Sequence, residues 1–486
     1  MYQTAAGVHG FLGNIWYIEQ KFRPKTSLGV GGIPQHPRNM GVLGKNYLHT
    51  VGTNVVLKLV VGLVISVVTA RALGPSGRGE YNLLVLIITT LTTVLNFGIP
   101  ASNTYFVAQK TIARERLLRA SFVVALCVSL ISFSLLVVLY ETNLLKYLFP
   151  VDHLTTSVVV SLAIIPVVFF NLFAQGIILG ENRIYFNNYV YLAGQSSLAL
   201  LLTVAFVLHR LTVPLAIIFY ALNNLVSFVM ILIAYRRVLF SAPLLGMRWS
   251  EYTRVLKFST PVQTGNIIQY FNYRLGTFLV NAFLGTVSVG LFFLAVSLVE
   301  ILWVLSTSMA SVLLPTVAGN HAQSKAISVK AASASLGVTL IAGLFACLVA
   351  PYAIVGLFGK EFAGSVAPFF ILLPGITIFS IANVLAAYIT GVGKPGYNTA
   401  ISLISLVFTI TLNALLIPRF GIGGAAFAST VSYFITSVLT LAVFARLSSL
   451  TWREALASTL DLRADLRNIL NRARLIFPGA NGTSTQ

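Results

Sequence analysis

Long apolar runs, separated by short stretches rich in Gly, Pro, Asn, Ser, Lys and Arg, repeat along most of this chain. They fall near residues 47–70, 81–106, 118–140, 155–180, 190–208 and 213–234, and again near 260–284, 287–312, 329–350, 365–390, 397–416 and 421–445. A helix needs about 20 apolar residues to cross a hydrocarbon core about 30 Å thick, and each run is close to that length. Inside lipid the backbone must satisfy its own hydrogen bonds, which selects helices over open sheet. The roughly ten-residue alternation of a membrane barrel strand does not occur. The pattern predicts an all-α polytopic membrane protein of about 12 transmembrane helices, called spans 1 to 12 below.

The two sets of six correspond. Leu73-Gly74 falls on Leu284-Gly285, Gly79 on Gly290, Tyr81 on Phe292, Gly180 on Gly391, Arg183 on Lys394 and Asn187 on Asn398, all at an offset of 211 residues. A register held over more than 100 residues predicts an internal repeat. Six helices per copy leave both copies in the same orientation, which is the parallel-repeat plan of transporters. The expected organisation is a cytoplasmic tail over 1–45, an N-lobe over 46–235, a cytoplasmic linker over 236–258, a C-lobe over 259–445 and a basic cytoplasmic tail over 446–486. The first tail lacks the compact apolar segment of a cleavable signal peptide.

Polar residues inside the runs are the next signal, because charge within a bilayer is costly and normally faces a bundle interior or an aqueous path. Lys58, Arg274 and Glu300 lie near the midpoints of spans 1, 7 and 8. On span 7, at about 100° per residue, Ser259, Gln263, Asn266, Tyr270, Arg274, Thr277 and Asn281 share one face and form a polar lane. On span 2 the same count gathers Thr89, Thr93, Asn96, Pro100 and Asn103, and on span 1 Thr50, Asn54, Lys58 and Gly62 form an i+4 row. Span 8 places Ser297, Glu300, Thr307 and Ser311 together. Hydrogen-bonded glue between helices explains an isolated Ser or Thr. A lane along a whole helix points to a cavity wall. Arg274 and Glu300 read either as a structural ion pair or as a pair lining that cavity.

Composition and charge set the class. Only 9% of residues are charged and 57% are hydrophobic, against about a quarter charged in soluble domains. The formal net charge of +20 is better explained by the positive-inside rule than by nucleic acid. With the N-terminus inside, 24 Lys/Arg fall on cytoplasmic segments and 6 on outward connections. Both termini are therefore expected in the cytoplasm. Two of the outward six, Arg71 and Arg78, sit in the dense connection "RALGPSGRGEYN". Cys127 and Cys347 lie inside apolar runs and read as packed residues. The six histidines are scattered, and there is no phosphate-binding glycine loop, metal-ligand spacing or nucleotide domain. The chain is not expected to be an enzyme or to carry a cofactor.

The stretches "RALGPSGRGEYNLLVLI…LNFGIPASNTYFVAQ" and "NYRLGTFLVNAFLGTVSVGLFFLAVSLVEILW" resemble the polysaccharide-transporter branch of the multidrug/oligosaccharidyl-lipid/polysaccharide flippase superfamily, which includes the O-antigen (lipopolysaccharide) and exopolysaccharide flippases. The resemblance covers roughly residues 44 to 445. It implies two six-helix lobes in a V shape, with spans 1, 2, 7 and 8 bordering a central cavity. It also implies an undecaprenyl-diphosphate-linked oligosaccharide moved across the cytoplasmic membrane of a bacterium or archaeon, with polymerase and chain-length machinery as possible partners besides the bilayer. On that reading Lys58 and Arg274 receive the diphosphate, and Asn54, Asn96, Gln263, Asn266, Tyr270 and Asn281 meet sugar hydroxyls. Arg71 and Arg78 receive the diphosphate at the outer mouth, and Glu300 serves ion coupling. Relatives often carry an acid after "NYRL", where this chain has Gly276, which makes Glu300 the main coupling candidate. A drug or cation antiporter of the same superfamily would want a net acidic cavity, and a glycan polymerase or ligase would want a large outward loop bearing charge.

Overall fold

The computed structural model describes residues 40–142, 156–240, 247–319 and 324–460, with side chains from residue 57 onward except at a few helix positions. The tails over 1–39 and 461–486, Lys146 and the Asn54 side chain lie outside the described residues. Among the described residues the structure is helical throughout, with no strand. Among these described residues, nine helical stretches are long and apolar enough to cross a membrane.

Three of these far exceed one crossing: Leu57–Leu95, Trp249–Ser311 and Gly396–Leu447 hold 39, 63 and 52 residues. Each is interrupted by one glycine off the helical backbone, at Gly74 (φ 64°), Gly285 (φ 78°) and Gly421 (φ 57°). The first two share ψ −178° and stand 211 residues apart, the offset seen in the sequence. A residue with a side chain would be strained there, since positive φ with extended ψ is almost confined to glycine. The repeat recurs in the turn after the fourth span of each half. Asn182 (φ 59°) and Gly393 (φ 78°) are again 211 apart.

Several boundaries differ from the sequence reading. Span 2 is not one helix: the long first helix ends at Leu95, Phe97 and Gly98 take positive φ, and a new helix runs Ile99–Ala108 with Pro100 in its first turn. Proline suits a helix start because the N–H it lacks would be unpaired there anyway. Residues 236–240 and 249–258, expected as linker, continue the helices on either side, Val213–Phe240 and Trp249–Gly319. After span 12 ends at Leu447, a short helix Trp452–Leu460 follows. It opens with a capping box: Thr451 N donates to Glu454 Oε2 (2.9 Å) and Glu454 N donates to Thr451 Oγ1 (3.3 Å). The Thr451 backbone bond holds the Glu454 carboxyl below its ordinary pKa.

Packing is dense inside each half. Phe169, Phe170 and Phe173 of span 4 are at most 1% exposed, while Val384, Tyr388 and Phe444 anchor a separate core under spans 10 and 12. One end of the body is tied by ion pairs. Arg114 Nη1 lies 2.7 Å from Glu181 Oε1, and Arg116 Nη1 lies 2.7 Å from the nearly buried Glu251 Oε1. These bring the starts of spans 3, 5 and 7 to the same end, the basic end. The breaks at Gly74 and Gly285 mark the other.

Candidate functional site

Span 7 and span 8 are the two arms of the helix broken at Gly285, so their facing residues are held at a fixed register. Arg274 lies eleven residues before the break, about 17 Å down the helix. Its Nη1 stands 3.2 Å from Glu300 Oε1, with both side chains about a quarter exposed. The pair faces a cleft of about 350 Å³ lined by Leu59 of span 1, by Ser297, Glu300, Ile301, Trp303, Val304 and Thr307 of span 8, and by Arg274. Behind it stands an aromatic wall. Tyr273 meets Trp303 edge-on at 4.5 Å between centroids, Trp303 meets Phe379 at 5.6 Å, and Phe379 meets Tyr433 at 5.1 Å. The guanidinium also lies 5.8 Å from the Phe293 ring. The cleft thus offers one cation, held by one anion, against walls that exclude water from one side.

Most of the span 7 lane is not open. Tyr270 Oη shares hydrogen bonds with Thr90 Oγ1 (2.7 Å) and Thr89 Oγ1 (3.2 Å), and Gln263 Nε2 donates to the Thr93 carbonyl. Ser259 is fully buried against Gly98, and Phe258 stacks on Tyr105 at 4.4 Å. Thr277 and Asn281 are buried, and Asn266 is exposed. The lane is therefore hydrogen-bonded to span 2 at Gln263 and Tyr270 and is left exposed at Asn266 and partly exposed at Arg274. Buried amides and hydroxyls must find partners, and for Tyr270 and Gln263 the threonines and a carbonyl of span 2 supply them.

On span 2 the helical wheel misplaces two residues because the helix stops. The Asn96 side chain accepts from Gly98 N at 2.7 Å and donates to Thr93 O at 3.1 Å, so it caps the break and does not face a cavity. Asn103, on the next helix, donates to Ser121 Oγ and Phe173 O inside the N-terminal half. Its direction changes because the turn at residues 96–98 resets the helix phase.

At the break end Arg71 and Arg78 are both clasped, Arg71 remaining exposed while Arg78 is buried and does not line an open mouth. Arg71 donates through Nε to Leu357 O at 2.8 Å and through Nη2 to Gly356 O. Arg78 is 3% exposed, donates to Ser66 Oγ at 2.7 Å, and lies 5.5 Å from the rings of both Phe358 and Phe362. The turn Ile354–Ser365, which carries these groups, carries no sequence motif that marks it. Beside them the two halves meet reciprocally. A methyl on Gly79 would collide with the Thr286 carbonyl, its carbon 2.8 Å away, and one on Gly290 would collide with the Pro75 carbonyl, its carbon 2.9 Å away. Pro75 and Thr286 are themselves 211 residues apart, so the contact maps onto itself under the repeat.

Lys58 does not line the Arg274 cleft. Its Nζ donates to Asn188 Oδ1 of span 5 at 2.9 Å and lies 4.8 Å from the centre of the Tyr191 ring. Span 5 shows no polar stripe, so the sequence gives no signal for either partner. Among the described residues no group of three or more His, Cys, Asp or Glu could hold a metal ion.

Against known proteins, the chain is 29% identical to the probable low-salt glycan biosynthesis flippase Agl15 of Haloferax volcanii over 175 residues, 35% of this chain and 37% of that one. The match thus spans little more than a third of that relative's length. Among solved structures the fold is similar to the lipid II flippase MurJ in an inward closed conformation (TM-score 0.68, 13% identity, 87% of this chain and 91% of that one). It is also similar to an inward-facing multidrug resistance MATE transporter of the MOP superfamily (TM-score 0.68, 14% identity, 80% and 94%). A third likeness is a MOP superfamily transporter from Pyrococcus furiosus described by a binding pocket of reversed polarity (TM-score 0.59, 14% identity, 83% and 93%). At such identities the likeness is one of fold. The polysaccharide biosynthesis protein family matches residues 43–321, more than half of the sequence, and this multi-pass membrane chain belongs to that family.

Proposed function

We propose that the chain is a flippase for lipid-linked oligosaccharides working by alternating access, a transporter and not an enzyme. The observation that carries the reading is the Arg274–Glu300 pair, exposed to an open cleft between apolar helices, in a member of a polysaccharide biosynthesis family. A lipid diphosphate brings about two negative charges into a medium where unpaired charge is prohibitive. A guanidinium offers it two parallel N–H donors. Glu300 neutralises Arg274 while the site is empty and is displaced when the diphosphate arrives. Polar groups along the span 2–span 7 seam become available to sugar hydroxyls as the halves separate.

Each glycine-broken helix is read as two crossings, which gives twelve. The basic end is cytoplasmic and the break end faces outward, in the cytoplasmic membrane of a bacterium or archaeon. The moving bodies are residues 46–235 and 259–445, and the clasp at Arg71, Arg78, Gly79 and Gly290 is the closed outer gate. A drug or cation exporter shares the fold, but the one carboxylate on this cleft is already paired with an arginine. Polymerase and chain-length proteins would take the product on the outer face.

The test is transfer of a fluorescent lipid-linked oligosaccharide across proteoliposomes holding the full chain. Faster transfer than in protein-free vesicles is expected. No transfer, together with saturable export of organic cations, would overturn the reading. Ser76→Cys should react with an impermeant maleimide in intact cells, and reaction only after permeabilisation would reverse the orientation.

A further inference from the structure

Lys58 is left out of the Arg274 cleft, yet its placement is repeated in the other half. Adding 211 to Lys58 gives Gln269, and adding 211 to Tyr191 gives Ser402. In the C-terminal half Ser402 Oγ donates to Gln269 Oε1 at 3.1 Å. Both halves therefore join their first and fifth spans by a polar contact at the same register. One junction is neutral. The other carries a cation.

That difference is informative because the neutral junction shows that the packing needs no charge. A half-buried ammonium costs desolvation energy, and Lys58 meets that cost with an amide oxygen and a ring face only. None of the ion pairs among the described residues includes it. An ammonium has three N–H donors, and Asn188 takes one. The Asn188 amide adds N–H donors of its own beside it.

The depth is equally specific. Asn188 and Tyr191 lie four and seven residues into the helix that starts at Ile184, about 6 and 10 Å from its start. That start follows Glu181 and Arg183 at the basic end. Lys58 is sixteen residues from the Gly74 break, about 24 Å, so it sits nearer the basic end than Arg274 does. Its neighbour Leu59 lines the Arg274 cleft, so Lys58 stands on span 1 beside a residue that borders that cleft.

We infer that Lys58, Asn188 and Tyr191 form a separate anion site in the N-terminal half, which takes the phosphate of a lipid head at the depth of the cytoplasmic leaflet before Arg274 does. The inference rests on the flippase reading. The ammonium and the Asn188 amide bind the phosphate oxygens, and the Tyr191 ring holds the ammonium in place. Arg274, already neutralised by Glu300, is the weaker partner until the halves move.

The test uses the full chain in neutral-lipid nanodiscs with farnesyl diphosphate as probe. Lys58→Gln copies the neutral junction, keeps a donor for Asn188 and should leave the thermal unfolding midpoint unchanged. Its affinity for the probe should fall tenfold or more, while Arg274→Gln should keep binding within about threefold and lose transfer. Repeating the titration with phosphatidylglycerol in the disc identifies the source of the phosphate. A tenfold loss of probe affinity there assigns the site to bulk anionic lipid, and no loss assigns it to the cargo. Equal probe binding by wild type and Lys58→Gln, with wild-type transfer intact, would overturn this site and leave the flippase reading standing. Absence of transfer in the wild type would count against the flippase reading itself.

Discussion

Replacing Gly79 by alanine should unlock the proposed outer gate, and the size of the effect follows from the contact. The new methyl would lie 2.8 Å from the Thr286 carbonyl carbon, where carbon atoms settle at about 3.5–4.0 Å. The helices must part by about 1 Å, or the clasp must carry an overpacking cost of about 1–3 kcal/mol. Helix propensity pulls the other way, since alanine favours a helix by about 1 kcal/mol over glycine. That term acts on the open and closed states alike and drops out of their ratio. The closed state should therefore lose about 5- to 150-fold in population relative to the open one. The reporter is Asn82→Cys, buried one turn below Gly79, in a chain whose Cys127 and Cys347 are replaced by alanine. Its reaction with an impermeant maleimide should accelerate by a factor in that range. Gly290→Ala should act similarly, and the double variant should add little, because one separation relieves both collisions. Gly276→Ala is the control: its methyl would meet Asn413 Oδ1 at an ordinary 3.5 Å. If Gly79→Ala labels at the control rate at normal protein levels, the clasp is not the gate.

Arg274→Ala should abolish transfer while the protein still inserts, and Arg274→Lys should recover only part of it, since an ammonium lacks the guanidinium fork. Normal transfer by the alanine variant at equal protein levels would refute the role. Glu300→Gln keeps shape and hydrogen bonding but removes the charge. It should bind lipid-linked oligosaccharide and lose any stimulation by an imposed ion gradient, and stimulation that survives unchanged would make Glu300 a structural partner only. Glu251→Gln unpairs Arg116 across a 2.7 Å contact with the carboxylate 5% exposed and the arginine 32% exposed. That partial exposure puts the destabilisation between the roughly 0–1 kcal/mol of an exposed pair and the roughly 3–5 kcal/mol of a fully buried one, read as a lower thermal unfolding midpoint in detergent.

The features legible in the sequence were periodic or local. Apolar runs of bilayer length marked the helices, and glycines at a constant offset marked both the repeat and, at Gly74 and Gly285, the residues that break the long helices. The pairing of Arg274 with Glu300 was open to sequence reasoning because both lie on arms of one bent helix. Errors arose where a wheel assumed a straight helix. Asn96 caps its own break, and Phe97 takes positive φ without being glycine. Long-range partners were out of reach too. Arg71 bonds a carbonyl 286 residues away, and Lys58 finds an amide 130 residues away. No spacing within either stretch encodes such a meeting.

The ion pair between Arg116 and Glu251 has a consequence for how the chain is divided. By sequence repeat the second half begins with span 7, yet the first turns of that helix are bonded to span 3 and stacked on Tyr105. The covalent joint and the mechanical joint are therefore different places. A chain cut between residues 240 and 249 yields two fragments, the second of which still carries a handle that fits the first. Such fragments, made separately in one cell, should reassemble with the help of that handle, and reassembly should be less efficient when Glu251 is neutralised.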